Sequence, residues 1–168
     1  MVATIGYERA SLSDFLATLQ LAKVEVLVDI RDRAQSRRPG FSKSTLSAAL
    51  NEVGIEYIHL KELGDPKEGR EAARRGDYDH FRTVFGRVLE TAEAKQAIVR
   101  LEVLARVSRI CLMCFERNQA DCHRKIVADK LEANLKLKVQ HLGVRDGAGK
   151  RPAIRRVHDL DQGAAASV

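Results

Sequence analysis

Two rhythms of apolar positions run along this chain. Val2-Ala3-Thr4-Ile5 is a short apolar run closing at Gly6-Tyr7, which predicts a strand over residues 2–6. Leu12, Phe15, Leu16, Leu19 and Ala22 then recur at helical spacing, after Ser11 as N-cap with Asp14 at the third helical position. Val24 to Ile30 is β-branched and apolar with Asp29 near its end, the pattern of a buried parallel strand with a polar tip. Residues 31–42 form a loop punctuated by Pro39-Gly40. Leu46, Ala49, Leu50 and Val53 make a second helical stripe, stopped by Gly54. Glu56 to Leu60 is a third strand.

Residues 61–80 are charged and glycine-containing and read as a mobile segment with one short helix. Phe81, Val84, Phe85, Val88 and Leu89 begin a long helical pattern, and Ala97 to Arg106 either continues it after a break or forms another helix. Arg109 to Phe115 is the fourth strand. A helix over Cys122 to Leu135 follows, with Asn118 as its cap, and Lys138 to Gly143 is the fifth strand. Strands alternating with helices predict an α/β fold: a three-layer sandwich with a mostly parallel sheet of about five strands, Rossmann-like or flavodoxin-like in outline. The expected organisation is a single α/β domain over residues 1–144 and a basic, partly disordered tail over residues 145–168.

In a parallel sheet the strand ends share one edge, where ligands of open α/β proteins bind. Here each of four strands ends in polar residues. The first supplies Gly6, Tyr7 and Glu8, the second Asp29 and Arg31, the third His59 and Lys61, the fourth Cys114 and Glu116. The pairs 29/31 and 114/116 are two apart and so share a face. The loop after strand two adds Arg33, Ser36, Arg37 and Arg38, and arginine forks suit phosphate or carboxylate. Cys122, His123 and Arg124 open the last helix, and helix N-termini favour anions. Cys114, Glu116, Cys122 and His123 are thus the expected catalytic residues. Tyr7, Asp29, Arg31, Ser36, Arg37 and Arg124 are the expected substrate- and anion-binding residues.

The charge balance points the same way. A net charge of +6 and a pI of about 9.4 favour anionic partners, either a small molecule or nucleic acid. No Gly-x-Gly-x-x-Gly follows a strand and no Walker-type loop is present, so a standard dinucleotide or nucleoside-triphosphate site is not supported. No apolar run approaches the roughly 20 residues that cross a bilayer, and the opening residues enter a strand at once, so a cytoplasmic protein without a leader or membrane partner is expected.

Three cysteines within residues 111–122 argue against a disulfide framework and leave three readings open. Cys114 or Cys122 is a thiolate nucleophile, its acidity raised by a helix N-terminus and nearby arginine or histidine. Or the cysteines and His123 bind a metal. Against that, Cys111 and Cys114 point to opposite faces of a strand, and Cys122 and His123 diverge by about 100° on a helix. Or the thiols are small packing groups. No cofactor is expected, with zinc at Cys114, Cys122 and His123 as the subordinate alternative.

Several short stretches together resemble a bacterial and archaeal family, the domain-of-unknown-function family 488. They are Thr4-Ile5-Gly6-Tyr7, Leu27-Val28-Asp29-Ile30-Arg31 with Ser36-Arg37 and Phe41, Gly54-Ile55-Glu56-Tyr57, Leu63-Gly64, Cys114-x-Glu116 and Cys122-His123-Arg124. The resemblance runs from about residue 3 to 143. It implies a compact α/β domain and marks the ten site residues above as motif positions, but implies no reaction. Cys111 is outside the shared motif. Ala34 stands where the family often has proline, and Asp65 where it has a second glycine.

The leading expectation is therefore a small enzyme binding a phosphate-bearing, nucleotide or nucleic-acid substrate at a Cys/Glu/His/Arg pocket. The alternatives are a non-catalytic nucleic-acid binding module, in which the basic loop and Lys150, Arg151, Arg155 and Arg156 track phosphates, and a thiol redox sensor joining Cys114 to Cys122.

Overall fold

A computed structural model of the chain describes residues 1–150. Five strands form one sheet: β1 (Val2–Gly6), β2 (Val26–Asp29), β3 (Glu56–His59), β4 (Ile110–Cys114) and β5 (Gln140–Leu142). Their order is β3-β2-β4-β1-β5 and every pairing is parallel. Six α-helices connect them: α1 (Leu12–Leu21), α2 (Lys43–Glu52), α3 (Lys67–Arg74), α4 (Tyr78–Glu90), α5 (Ala92–Val107) and α6 (His123–Leu135). The expected three-layer α/β fold with a parallel five-stranded sheet is what the chain forms.

Strand alternation sorts the core into two halves. Val2, Val28, Ile110 and Leu112 pack with Phe81, Phe85, Leu101 and Val127, so α4, α5 and α6 cover one face. Ala3, Ile5, Leu27, Cys111 and Met113 pack with Phe15, Leu19, Leu46 and Leu50, so α1 and α2 cover the other. The sheet is apolar on both sides because both sides are covered. Among the described residues, no helix is long and apolar enough to cross a membrane.

The caps follow the local sequence. Ser11 Oγ accepts from the Asp14 amide at 3.2 Å to start α1. Thr91 is extended and its Oγ accepts from the Ala94 amide at 3.2 Å, so the long apolar pattern from Phe81 onward is two helices broken at one residue. Residues 61–80 differ from expectation. They hold a 3₁₀ turn at Lys61–Leu63, then α3 and the start of α4. Leu63 and Ala72 anchor this charged stretch in the core, and Gly64 lies so close to the Asp32 backbone that a Cβ there would overlap it. Asn118 caps the 3₁₀ turn Gln119–Asp121, while α6 is capped by Cys122. The fifth strand is shorter than the predicted run. Beyond it, the Gly147 and Gly149 amides donate to the Asp14 carboxylate at 3.0 and 2.8 Å. The tail expected over residues 145–168 lies mostly outside the described residues, as do Arg151, Arg155 and Arg156.

Topology places the site. Chain leaving β1 and β2 turns towards α1 and α2, whereas chain leaving β3 and β4 turns towards the opposite face. β4 lies between β1 and β2, so loops diverge on both of its sides and leave a crevice above its carboxyl end. This is where open α/β sheets accept ligands.

Candidate active site

A cavity of about 840 Å³ fills that crevice. Its chemical end is built at the tip of β4. Cys114 is the last residue of the strand and sits in register with Gly6 of β1. Cys114 Sγ lies 3.2 Å from Glu116 Oε2, as the two-residue spacing leads one to expect. Gly6 has no side chain for a steric reason: a Cβ would overlap the Glu116 carbonyl and come within 2.7 Å of Arg124 Nη1.

Cys122 is extended at φ −133° and ψ 142°, and only His123 begins the helix. The sequence-based objection that neighbouring helical residues diverge therefore does not apply. Cys122 Sγ lies 3.7 Å from His123 Nδ1 and accepts the Arg124 amide at 3.5 Å, which caps α6. The Cys114 and Cys122 sulfurs stand in bonding contact as a disulfide, with their Cα atoms 7.7 Å apart. Cys111 faces away, into the core against α1 and α2, and burial pushes its thiol far up, so it stays protonated.

His123 Nε2 lies 2.9 Å from the Ile30 carbonyl, which can only accept. Nε2 therefore carries the proton and Nδ1 presents a lone pair to Cys122. Burial, opposed by that hydrogen bond, pulls the ring down to about 4, so it is neutral at physiological pH. Burial also pushes the Glu116 carboxyl upward, partly offset by its own amide and by Arg124.

Arg124 is 1% exposed. Its guanidinium donates to Thr4 Oγ1 at 3.3 Å, Cys114 Sγ at 3.1 Å, the Arg117 carbonyl at 3.0 Å and the Glu116 carbonyl. Burial pulls it down to about 10. Arg31 is equally committed. It donates to both Asp29 oxygens, to Tyr7 Oη and to the Phe41 carbonyl. Burial acts against its charge but Asp29 outweighs that and holds the guanidinium more firmly protonated. Tyr57 Oη donates to Asp29 at 2.6 Å, and burial with that neighbour pushes the phenol well up.

Tyr7, Arg31, Ser36, Arg37, Cys114, Glu116 and His123 thus line one cavity, while Asp29, Cys122 and Arg124 lie directly behind it. Ser36 Oγ accepts the Arg38 amide at 3.1 Å and shapes the loop. Arg33 and Arg37 are exposed on the wall and hold no salt bridge among the described residues.

The wall also contains Arg9, Asp65, Arg70 and Arg74, none of which the sequence assigned to the site. Arg9 has a positive φ of 60°, uncommon for a non-glycine residue and met at functional turns. Asp65 is 5% exposed and its Oδ1 has no hydrogen-bond partner among the described residues. Burial pushes its carboxyl up to about 7, with Glu116 and Asp32 adding to the rise and Arg70 opposing it. Its one sequence signal was aspartate at a position where the resembled family has glycine.

Residues 11–131 match the model of the family described as Domain of unknown function DUF488. No curated protein and no solved structure matches the chain.

Proposed function

Because the chain belongs to the DUF488 family, whose description carries no reaction, we propose from the cavity itself that this protein is an enzyme acting on a phosphate-bearing substrate. The observation carrying this reading is that arginines holding no salt bridge among the described residues and a Cys–Glu–Cys–His cluster line or back one cavity. Arg33 and Arg37 hold the anion, with Arg9 and Arg74 as further cationic groups on the same wall. Arg31 and Arg124, whose donors are used internally, shape the cavity, and Arg124 positions Cys114. The reacting end of the substrate meets Cys114, Glu116 and His123 on the cavity lining.

Calorimetric titration with nucleoside monophosphates, phosphorylated sugars and short oligonucleotides tests this, followed by product analysis of each binder. The expected result is tight binding of one class, weakened about tenfold or more in Arg37→Ala, since one charge-assisted hydrogen bond contributes about 1.5–3 kcal/mol. Product formation is expected to vanish in Cys114→Ser with binding retained. Unchanged turnover in both variants overturns the reading. Oligonucleotide binding that is steeply salt-dependent and yields no product identifies a nucleic-acid binding module instead.

A second reading has its own observation, the sulfur contact between Cys114 and Cys122. In a thiol sensor the pair gives two electrons and two protons to hydrogen peroxide, which leaves as two waters. Peptide mapping after mild peroxide treatment checks it: a Cys114–Cys122 linkage that forms and is reversed by dithiothreitol supports the sensor, and two free thiols after treatment remove it.

A further inference from the structure

The two sulfurs and the imidazole are arranged as ligands. Cys114 Sγ, Cys122 Sγ and a His123 ring nitrogen all lie within 4.8 Å of one another, and all three residues are buried. We propose that, in the reduced protein, these three atoms bind one zinc-type divalent ion whose fourth position opens into the cavity.

Four observations carry this. First, the backbone spacing suits a shared ion. Relaxed disulfides have Cα atoms about 4.4–6.8 Å apart, whereas Cys114 and Cys122 are held at 7.7 Å. Sulfurs at about 2.3 Å from a tetrahedral ion stand about 3.8 Å apart, an opening that the wider backbone accommodates.

Second, the tautomer is already fixed. Nε2 donates to the Ile30 carbonyl at 2.9 Å, which leaves the Nδ1 lone pair facing Cys122 Sγ at 3.7 Å. Metal-bound histidines almost always donate their other nitrogen to such an acceptor.

Third, both sulfurs receive N–H donors. The Arg124 amide approaches Cys122 Sγ at 3.5 Å and Arg124 Nη1 approaches Cys114 Sγ at 3.1 Å. Donors aimed at sulfur stabilise thiolates, the form that ligates. When a divalent ion enters, two thiol protons leave to solvent and no electrons move. Two thiolates then neutralise the ion.

Fourth, three protein ligands of S₂N type are the composition of a site with an open position rather than of a closed structural one. Cys114, Glu116 and His123 line the cavity. The open position is therefore where an oxygen of the anion, or a water, reaches the ion. An anion at the open position rests on the phosphate-substrate reading; the three-ligand site does not.

The experiment uses the full chain purified under reducing conditions. Metal content is measured as isolated, then the metal-free protein is titrated with cobalt(II) and zinc(II). The expected result is uptake of one ion per chain, with cobalt giving tetrahedral d–d bands and a thiolate-to-cobalt charge-transfer band. That band should be lost in Cys114→Ser and in Cys122→Ser and retained in Cys111→Ser. If the serine variants do not fold, the wild-type charge-transfer intensity decides, since two thiolates give about twice the absorbance of one. No uptake of either ion by reduced wild type overturns the site, as does uptake unchanged in Cys114→Ser and Cys122→Ser. Arg37→Ala separates the two ideas: it should lose phosphate affinity and keep its cobalt spectrum. Failure of the ion site would thus leave the anion pocket standing, and the reverse also holds.

Discussion

Arg31 Nε and Nη2 meet the two carboxylate oxygens of Asp29 at 2.8 and 2.6 Å, in a pair that is almost wholly shielded from water. The residues are two apart, so the contact is local, yet it ties three elements together. Tyr57 from β3 adds a third side-chain donor to Asp29, and Arg31 reaches on to Tyr7 after β1. The Arg31→Ala variant leaves a buried carboxylate without its cation. It is expected to lose about 3–5 kcal/mol of stability, while Tyr57→Phe should lose about 1 kcal/mol. Urea unfolding of the two single variants and the double variant measures both and their coupling. A loss below that of Tyr57→Phe in Arg31→Ala would contradict the assignment.

Gly6 should not tolerate even one methyl group. The Glu116 carbonyl occupies the space a Cβ would fill, and Arg124 closes the other side. Overpacking of this kind costs about 1–3 kcal/mol where neighbours can shift. Here the obstructing atom is a backbone carbonyl bonded to a buried arginine. Gly6→Ala is expected at or above the upper end of that range, with Cys114 alkylation kinetics altered as β4 moves off its neighbour. A stability equal to wild type would show the approach to be looser than described.

Asp65 sets a pH dependence of known sign. In the unfolded chain it ionises near its ordinary 3.8, whereas burial, Glu116 and Asp32, against Arg70, push it up to about 7 in the fold. Between those values the folded state holds the extra proton. Its contribution to stability is therefore largest below about 3.8, declines as pH rises, and levels off above about 7, with a slope of at most about 1.4 kcal/mol per pH unit. Asp65→Asn should remove that decline and be more stable than wild type at pH above 7. Urea midpoints across this range check it, and identical pH profiles for the two proteins would refute it.

Much of this was legible in the chain. Alternating apolar runs located all five strands, and the parallel sheet follows from the helices between them. The two-residue spacing of Cys114 and Glu116 pointed to their proximity, although β4 ends at Cys114 and Glu116 lies just past the strand. Cys122 and His123 could not be read that way. Their approach depends on one extended residue before the helix, a backbone state that either residue type permits. Arg31 and Arg124 carried the opposite difficulty. Sequence marks an arginine as a donor without saying whether its partner is a ligand or the protein's own carbonyls. Asp65, Arg70 and Arg74 were hidden in a charged stretch with little hydrophobic pattern, since Leu63 and Ala72 are too few to show a period. The cavity's far wall is made from that stretch.

Two imidazoles hold consecutive peptide carbonyls at the root of the arginine loop: His123 takes Ile30 at 2.9 Å and His59 takes Arg31 at 2.8 Å. The base of that turn is thereby clamped by two rings. One of the two, His123, is also the imidazole that faces the sulfurs. A nitrogen-15 resonance of His123 therefore reads, at the neighbour of both sulfurs, any displacement of the carbonyl it holds at the root of that turn.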